Sequence, residues 1–132
     1  MELADWIDGY RRAWAENDAD LLVSLFTEDV SYRSSPFREP NLGHEGIRAY
    51  WARAVGPQRG TAVRMGEPVV DGNVVAVEWW TTTNEGEGLV TITGCLLLQF
   101  APDGRCFDLR EYWHLDPGSR SPHDGWGSWR RR

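Results

Sequence analysis

Glu111 is the residue whose type and setting best suit proton transfer. It stands in Arg110-Glu111-Tyr112-Trp113-His114, where Phe107, Leu109, Glu111 and Trp113 fall at every second position. On a strand those four share one face. A carboxylate among such neighbours loses hydration. Its pKa then rises toward neutrality, where it can give or take a proton at pH 7. The same carboxylate could instead pair with Arg33, Arg64 or another arginine and hold elements together. Tyr10 is the second group: its hydroxyl could polarise a carbonyl or hydrogen-bond a ligand hydroxyl, and at helical spacing it also fits a core position. His44 could titrate near pH 7 at a pocket mouth, or simply begin a helix. His114 falls on the face opposite Glu111, and His123 lies near the C-terminus.

The aromatic residues suggest what such a group would act on. Eight tryptophans in 132 residues are several times the usual share, and each brings a large rigid surface with one N–H that wants an acceptor. Trp14, Tyr32, Phe37, Trp51, Trp79 and Trp113, with Leu96 and Leu98, are expected to line a cavity for a flat apolar ligand. Any one of them could equally be ordinary core. Other chemistries lack their parts: the histidines are scattered, no carboxylates pair at metal-ligand spacing, and neither a glycine-rich phosphate loop nor a Gly-x-Ser-x-Gly elbow occurs. No metal or cofactor is expected.

Positioning these residues requires a change of period along the chain. Leu3, Trp6, Ile7, Tyr10, Ala13 and Trp14 recur every three or four residues and predict an amphipathic helix ended by Asn17-Asp18. Asp18 or Asp20 can cap a short second helix with Leu21, Leu22, Leu25 and Phe26 as its apolar face. Thr27-Glu28-Asp29 breaks it, and Val30 to Arg33 reads as a short strand. A third helix is expected from about Glu45 to Val55, stopped by Gly56-Pro57. The period then becomes two. Strands are expected over 61–70, 74–83, 89–100 and 105–115, joined by turns at Asp71-Gly72-Asn73, 84–88 and Pro102-Asp103-Gly104. The fold class is α+β: a cone-shaped roll with three N-terminal helices on a curved antiparallel sheet that ends in a four-stranded meander. Residues 1–117 form the domain. Residues 118–132 form a Gly/Pro/Arg-rich tail that can lie on it through Trp126 and Trp129.

Charge and composition restrict the partners. The formal net charge is −6 and all 14 basic residues are arginine, so a phosphate backbone is a poor partner. Arg130-Arg131-Arg132 is too short to reverse that and is expected to be solvated. No stretch approaches the roughly 20 apolar residues that span a bilayer, and Met-Glu-Leu-Ala-Asp-Trp does not read as a signal peptide. Cys95 is expected opposite Arg110 or Glu111, and Cys106 opposite Gln99 or Phe100, too far apart to bridge. Free thiols suit a reducing cytoplasm. Both sheet faces carry apolar residues, so the outer face is expected to make a homodimer.

Four stretches resemble a known family: Tyr10-Arg11-Arg12-Ala13-Trp14-Ala15-Glu16-Asn17-Asp18, Leu25-Phe26-Thr27-Glu28-Asp29-Val30-Ser31-Tyr32, Gly43-His44-Glu45-Gly46-Ile47-Arg48-Ala49-Tyr50-Trp51 and Arg110-Glu111-Tyr112-Trp113-His114. With the element order, they make the chain resemble the nuclear transport factor 2-like superfamily, and within it a SnoaL-like, polyketide cyclase-type domain. The resemblance implies a cone with a pocket between helices and sheet, in a superfamily of isomerases, epoxide hydrolases, cyclases, dehydratases and non-catalytic binders. Ketosteroid isomerase-like members would place a tyrosine at Tyr10, a carboxylate base at Ser34 or Ser35, and a protonated acid at Leu96, so two of their three parts are missing here. Limonene epoxide hydrolase-like members would place an Arg and an Asp at Trp79 and Thr81, and a second carboxylate at Glu111. SnoaL-type cyclases also carry an acidic residue matching Glu111. The resemblance thus implies a cofactor-independent isomerase, cyclase or dehydratase with Glu111 as acid or base and Tyr10 as donor, or a ligand-binding domain without turnover.

Overall fold

The computed structural model describes residues 1–130. Of the basic terminus expected to be solvated, Arg131 and Arg132 lie outside the described residues.

Three helices precede the long strands. Helix α1 (Leu3–Glu16) buries Trp6, Tyr10, Ala13 and Trp14 and ends at Asn17 in the left-handed region, φ 52°. Asp18 caps α2 (Ala19–Ser24) by accepting a hydrogen bond from the Leu21 N–H at 3.0 Å. Strand β1 (Phe26–Arg33) follows, then the two-residue β2 (Asn41–Leu42) and α3 (Gly43–Ala54). The sheet continues with β3 (Arg59–Met65), β4 (Val69–Asp71), β5 (Val74–Asn84), β6 (Leu89–Phe100) and β7 (Cys106–Pro117).

The strand order is β2-β1-β7-β6-β5-β3, with β4 also paired to β5. The four-stranded meander is present as β3, β5, β6 and β7. The sheet is mixed rather than wholly antiparallel, because β1 runs parallel to β7. A parallel pair needs a long connection, and everything from α3 through β6 supplies it. Three boundaries also differ from expectation. Phe26, expected on the second helix, begins β1, which starts four residues earlier than alternation alone suggests. The strand expected over 61–70 is two strands, because Gly66-Glu67-Pro68 interrupts the ladder and proline has no N–H to give it. Cys95 lies opposite Tyr112, not Arg110 or Glu111, because a bulge at Phe107 inserts one residue between the Gln99–Asp108 and Phe100–Cys106 pairs. Both cysteines are free, and burial pushes the Cys106 thiol up to about 12.

The inner face reads as rows across β5, β6 and β7. Val75, Leu98 and Leu109 form one row and Val77, Leu96 and Glu111 the next; then come Trp79, Gly94 and Trp113, and after them Thr81, Ile92 and Leu115. The first row is closed under the helices, within a core that includes Trp6, Leu22, Phe26 and Cys106. The outer face carries the chain beyond β7. Trp80 donates its indole N–H to Arg120 O at 2.9 Å and packs edge-on to Trp126 at 5.8 Å. Arg64 lies 5.3 Å over the Trp126 ring, and Trp129 donates to Glu67 O at 2.9 Å. Gly66 is needed where the chain returns: a Cβ there would stand 2.9 Å from the Gly127 backbone.

Candidate active site

A cavity of ≈ 300 Å³ lies between the helices and the last two of those rows. Its wall comprises Tyr10 and Trp14 from α1, Tyr32 from β1, Tyr50, Trp51, Arg53 and Ala54 from α3, Val55 and Gln58 beyond it, Trp79 from β5, Glu85, Ile92 from β6, and Glu111, Trp113 and Leu115 from β7. Gly94 stands between Trp79 and Trp113 in the row across the sheet. A Cβ there would meet the backbone of Tyr112 and Trp113, so the close approach of β6 and β7 requires glycine.

Glu111 is the buried carboxylate of this wall, only 5% exposed. Strand β7 turns it inward between Leu109 and Trp113, and no arginine pairs with it among the described residues. The two arginines expected as its partners are engaged elsewhere: Arg33 donates to Arg38 O at 2.6 Å, and Arg64 covers Trp126. Among the described residues the Glu111 carboxylate receives one hydrogen bond, a long one of 3.5 Å from the Tyr32 hydroxyl. Loss of hydration raises its pKa to about 8, and the Tyr32 bond opposes that rise. Tyr10 sits behind Tyr32, hydroxyl to hydroxyl at 3.2 Å, giving a Tyr10–Tyr32–Glu111 chain. When Tyr32 donates to Glu111, Tyr10 donates to Tyr32. Burial raises both phenols well above the ordinary tyrosine value, and the Glu111 carboxylate adds to the rise.

A second polar chain holds the other side: Trp14 Nε1 donates to Gln58 Oε1 at 2.8 Å, and Gln58 Nε2 donates to Glu85 Oε2 at 3.1 Å. The rings pack mostly edge to face, Trp14 lying 4.9 Å from Trp79 and 6.4 Å from Trp51. The mouth adjoins a polar hollow of ≈ 530 Å³ bounded by Ser34, Ser35, Arg38, Glu39 and Asn41, and the two share Tyr50, Arg53, Ala54 and Trp113.

Of the residues expected here, Glu111, Tyr10, Trp14, Tyr32, Trp51, Trp79 and Trp113 do line the cavity. Phe37 does not: it is 98% exposed, carried outward on the loop between β1 and β2. Leu96 and Leu98 face inward but are fully buried and outside the wall, packed beneath the helices one and two rows from the opening. His44 is tied by Nε2 to Phe26 O at 2.9 Å and anchors the start of α3 to β1. Ser34 and Ser35 edge the outer hollow, and the Ser34 carbonyl accepts the Trp113 indole N–H at 2.8 Å. Sequence reasoning left out Tyr50, Arg53, Ala54, Val55, Gln58, Glu85, Ile92 and Leu115. The parity of Ile92 with Leu96 and of Leu115 with Glu111 was available; Gln58 and Glu85 lie at turns that become neighbours only in three dimensions. No group of three His, Cys, Asp or Glu suited to a metal occurs among the described residues.

A family model described as a SnoaL-like domain matches residues 7–109. Among solved structures, the epoxide hydrolase/cyclase-like enzyme SalBIII, of pyran ring formation in polyether salinomycin, is 20% identical with a TM-score of 0.75, covering 87% of this chain and 95% of that one. A putative polyketide cyclase from Sinorhizobium meliloti is 23% identical with a TM-score of 0.65, covering 82% and 94%. The Δ5-3-ketosteroid isomerase from Mycobacterium sp. is 17% identical with a TM-score of 0.72, covering 85% and 92%. At these identities the likeness establishes the fold. A search of curated protein sequences finds no match.

Proposed function

The chain belongs to the SnoaL-like domain family, and from that premise we propose that it is a small-molecule pocket protein performing cofactor-independent proton transfer, an isomerisation, cyclisation or dehydration, with Glu111 as the acid or base. One observation carries the reading: a carboxylate in the cavity wall, stripped of water and without a cation, whose pKa lies near neutrality. With a pKa of about 8, Glu111 is mostly protonated at pH 7, so the general acid role is favoured. Tyr32 touches the carboxyl and Tyr10 acts through Tyr32 as a positioning residue. Trp14, Trp51, Trp79 and Trp113 shape the cavity around a flat apolar ligand. SalBIII, named for ring formation, and the ketosteroid isomerase share the fold and support this reaction class.

The titration of Glu111 tests the reading. Carbon-13 NMR of its side-chain carboxyl is expected to give a midpoint near 8. A midpoint in the ordinary range near 4 would remove the acid role and leave a binding domain without turnover. That alternative is favoured by the resemblance to ketosteroid isomerase-like members, which implies a base at Ser34 or Ser35 and a donor at Leu96, where serine and leucine cannot serve. We also retain the homodimer and the reducing, cytoplasmic setting as parts of the proposal. The outer-face row Glu78, Cys95 and Tyr112 would meet a second copy beside the packed tail, and light scattering after gel filtration reads the mass directly.

A further inference from the structure

The indole N–H groups provide an internal control. Five of the eight tryptophans donate to a protein acceptor: Trp6 to Leu25 O, Trp14 to Gln58, Trp80 to Arg120 O, Trp113 to Ser34 O and Trp129 to Glu67 O, all at 2.7–2.9 Å. Trp126 is partly exposed, where water can serve it. Trp51 and Trp79 differ. Both residues are at least 97% buried, at 3% and 1% exposed, and the Nε1 of each is closed to water with no partner among the described residues. Both line the cavity. The rings around them, Tyr10 and Trp14 beside Trp51 and Trp14 beside Trp79, offer only aromatic faces, which are weak acceptors. A buried donor without an acceptor costs about 1–3 kcal/mol, so two on one cavity wall call for an explanation.

We infer that Trp51 and Trp79 are the hydrogen-bond donors of the ligand site, and that the ligand is a flat compound whose acceptor oxygen takes up these N–H groups. The inference rests on the pocket reading above and deepens it by naming the ligand class. The two unmet groups on this wall are donors; the third buried atom without a partner among the described residues, the Thr81 hydroxyl oxygen, lies outside the lining and can both donate and accept. Trp14 and Trp113 already have acceptors, and the Glu111 carboxyl, held neutral by its burial, can offer an O–H of its own. A hydrocarbon would leave both indoles unpaired. A donor-rich polyol would bring more hydroxyl groups than the few acceptors of the wall, chiefly Glu85 and Glu111, can take. Both nitrogens are screened by their neighbours, so engagement requires the indoles to tilt toward the cavity that their rings already border, a side-chain adjustment common on binding.

The test compares 1-tetralone with tetralin, two bicyclic rings of nearly equal size that differ by one carbonyl oxygen. Titrations of the intact protein are followed through its indole N–H resonances, assigned by sequential NMR. The ketone is expected to bind about tenfold tighter or more, the value of an otherwise unpaired buried donor. The Trp51 and Trp79 resonances should move downfield with 1-tetralone and not with tetralin, and those of Trp6 and Trp129 should stay in place. Trp51→Phe and Trp79→Phe should each reduce the preference for the ketone. If either variant fails to fold, the wild-type resonances decide alone. Equal affinities, or movement of neither or only one of the two indoles, would overturn the donor pair while leaving an apolar pocket and the Glu111 titration intact. Failure of 1-tetralone to bind up to its solubility limit would overturn it too, and the Glu111 midpoint would still report separately on the acid role.

Discussion

At one end of the inner sheet face Trp6 gives its indole N–H to Leu25 O at 2.7 Å, with Phe26 and Phe100 edge-on around it. At the other end Trp51 and Trp79 are nearly as deeply buried and find no acceptor among the described residues. The same strands build both ends, and their residues differ by position along the rows. The closed end meets the physical demands on a core: apolar contact throughout, with its polar atom paired. The open end keeps an ionisable group and two unpaired donors within one wall. Burial without pairing is expensive in a core. The difference separates a packed end that stabilises the fold from the end that bears the cavity, the end proposed to take a ligand.

The largest expected effect tests that division by truncation. Leu98→Ala, at the fully buried closed end, should cost about 2–5 kcal/mol, the range for opening a hole in a packed core. Leu115→Ala, on the cavity wall and 44% exposed, should cost under about 1 kcal/mol, because there is little packing to lose. Urea denaturation of the two variants measures both. Equal losses would mean that the open end is core like the other, and the comparison would fail.

A second effect of similar size concerns Glu111. Its folded pKa of about 8 lies above the unfolded value of about 4.3. The folded state therefore holds a proton that the unfolded state releases across that window. Stability contributed by the protonated carboxyl is complete below about pH 4, falls as pH rises toward 8, and is level above it. Glu111→Gln removes the titration, so at pH 7 the variant should be more stable than wild type by on the order of 3 kcal/mol. The gain should vanish near pH 4. A variant less stable than wild type at pH 7 would mean that the carboxylate has a structural partner and that the open end is not held for a ligand.

How far these features were legible in the sequence depends on their range. Period-three-and-four spacing located α1 and α3, and period two located the meander, because both patterns follow from the residues' own neighbours. The parity of Leu109, Glu111 and Trp113 placed Glu111 inward, but the bulge at Phe107 shifts by one the partner of every β7 residue beyond it, that of Cys95 among them, and leaves Cys106 rather than Phe107 in the core. What resisted reading was non-local. That β1 runs parallel to β7 is decided by the crossover between them. Phe37 looks like any cavity aromatic until the loop turns it out. Leu96 and Leu98 share the parity of the cavity wall, and only the position of the helices over the sheet shows which rows are capped and which are open. The unpaired indoles were invisible for the same reason: the sequence counts tryptophans, and acceptors are supplied from dozens of residues away, as Ser34 O is to Trp113.

The smallest effect gives the sharpest view of the open end. The Tyr32 hydroxyl donates to Glu111 Oε1 at 3.5 Å, a distance at the limit of a hydrogen bond. Donation to the charged form lowers a carboxyl pKa, and here it works against the larger rise from burial. Tyr32→Phe removes the donor and leaves the ring, so the Glu111 midpoint should rise, by less than about one unit given the length of the bond. Tyr10→Phe should move it less still, since Tyr10 reaches the carboxyl only through the Tyr32 oxygen. Both shifts can be read by the carbon-13 titration used for the wild type. A fall on Tyr32→Phe would carry a different message. It would mean that water enters where the hydroxyl stood and rehydrates the carboxylate, so that the dryness of the open end depends on the two phenols rather than on the tryptophan wall.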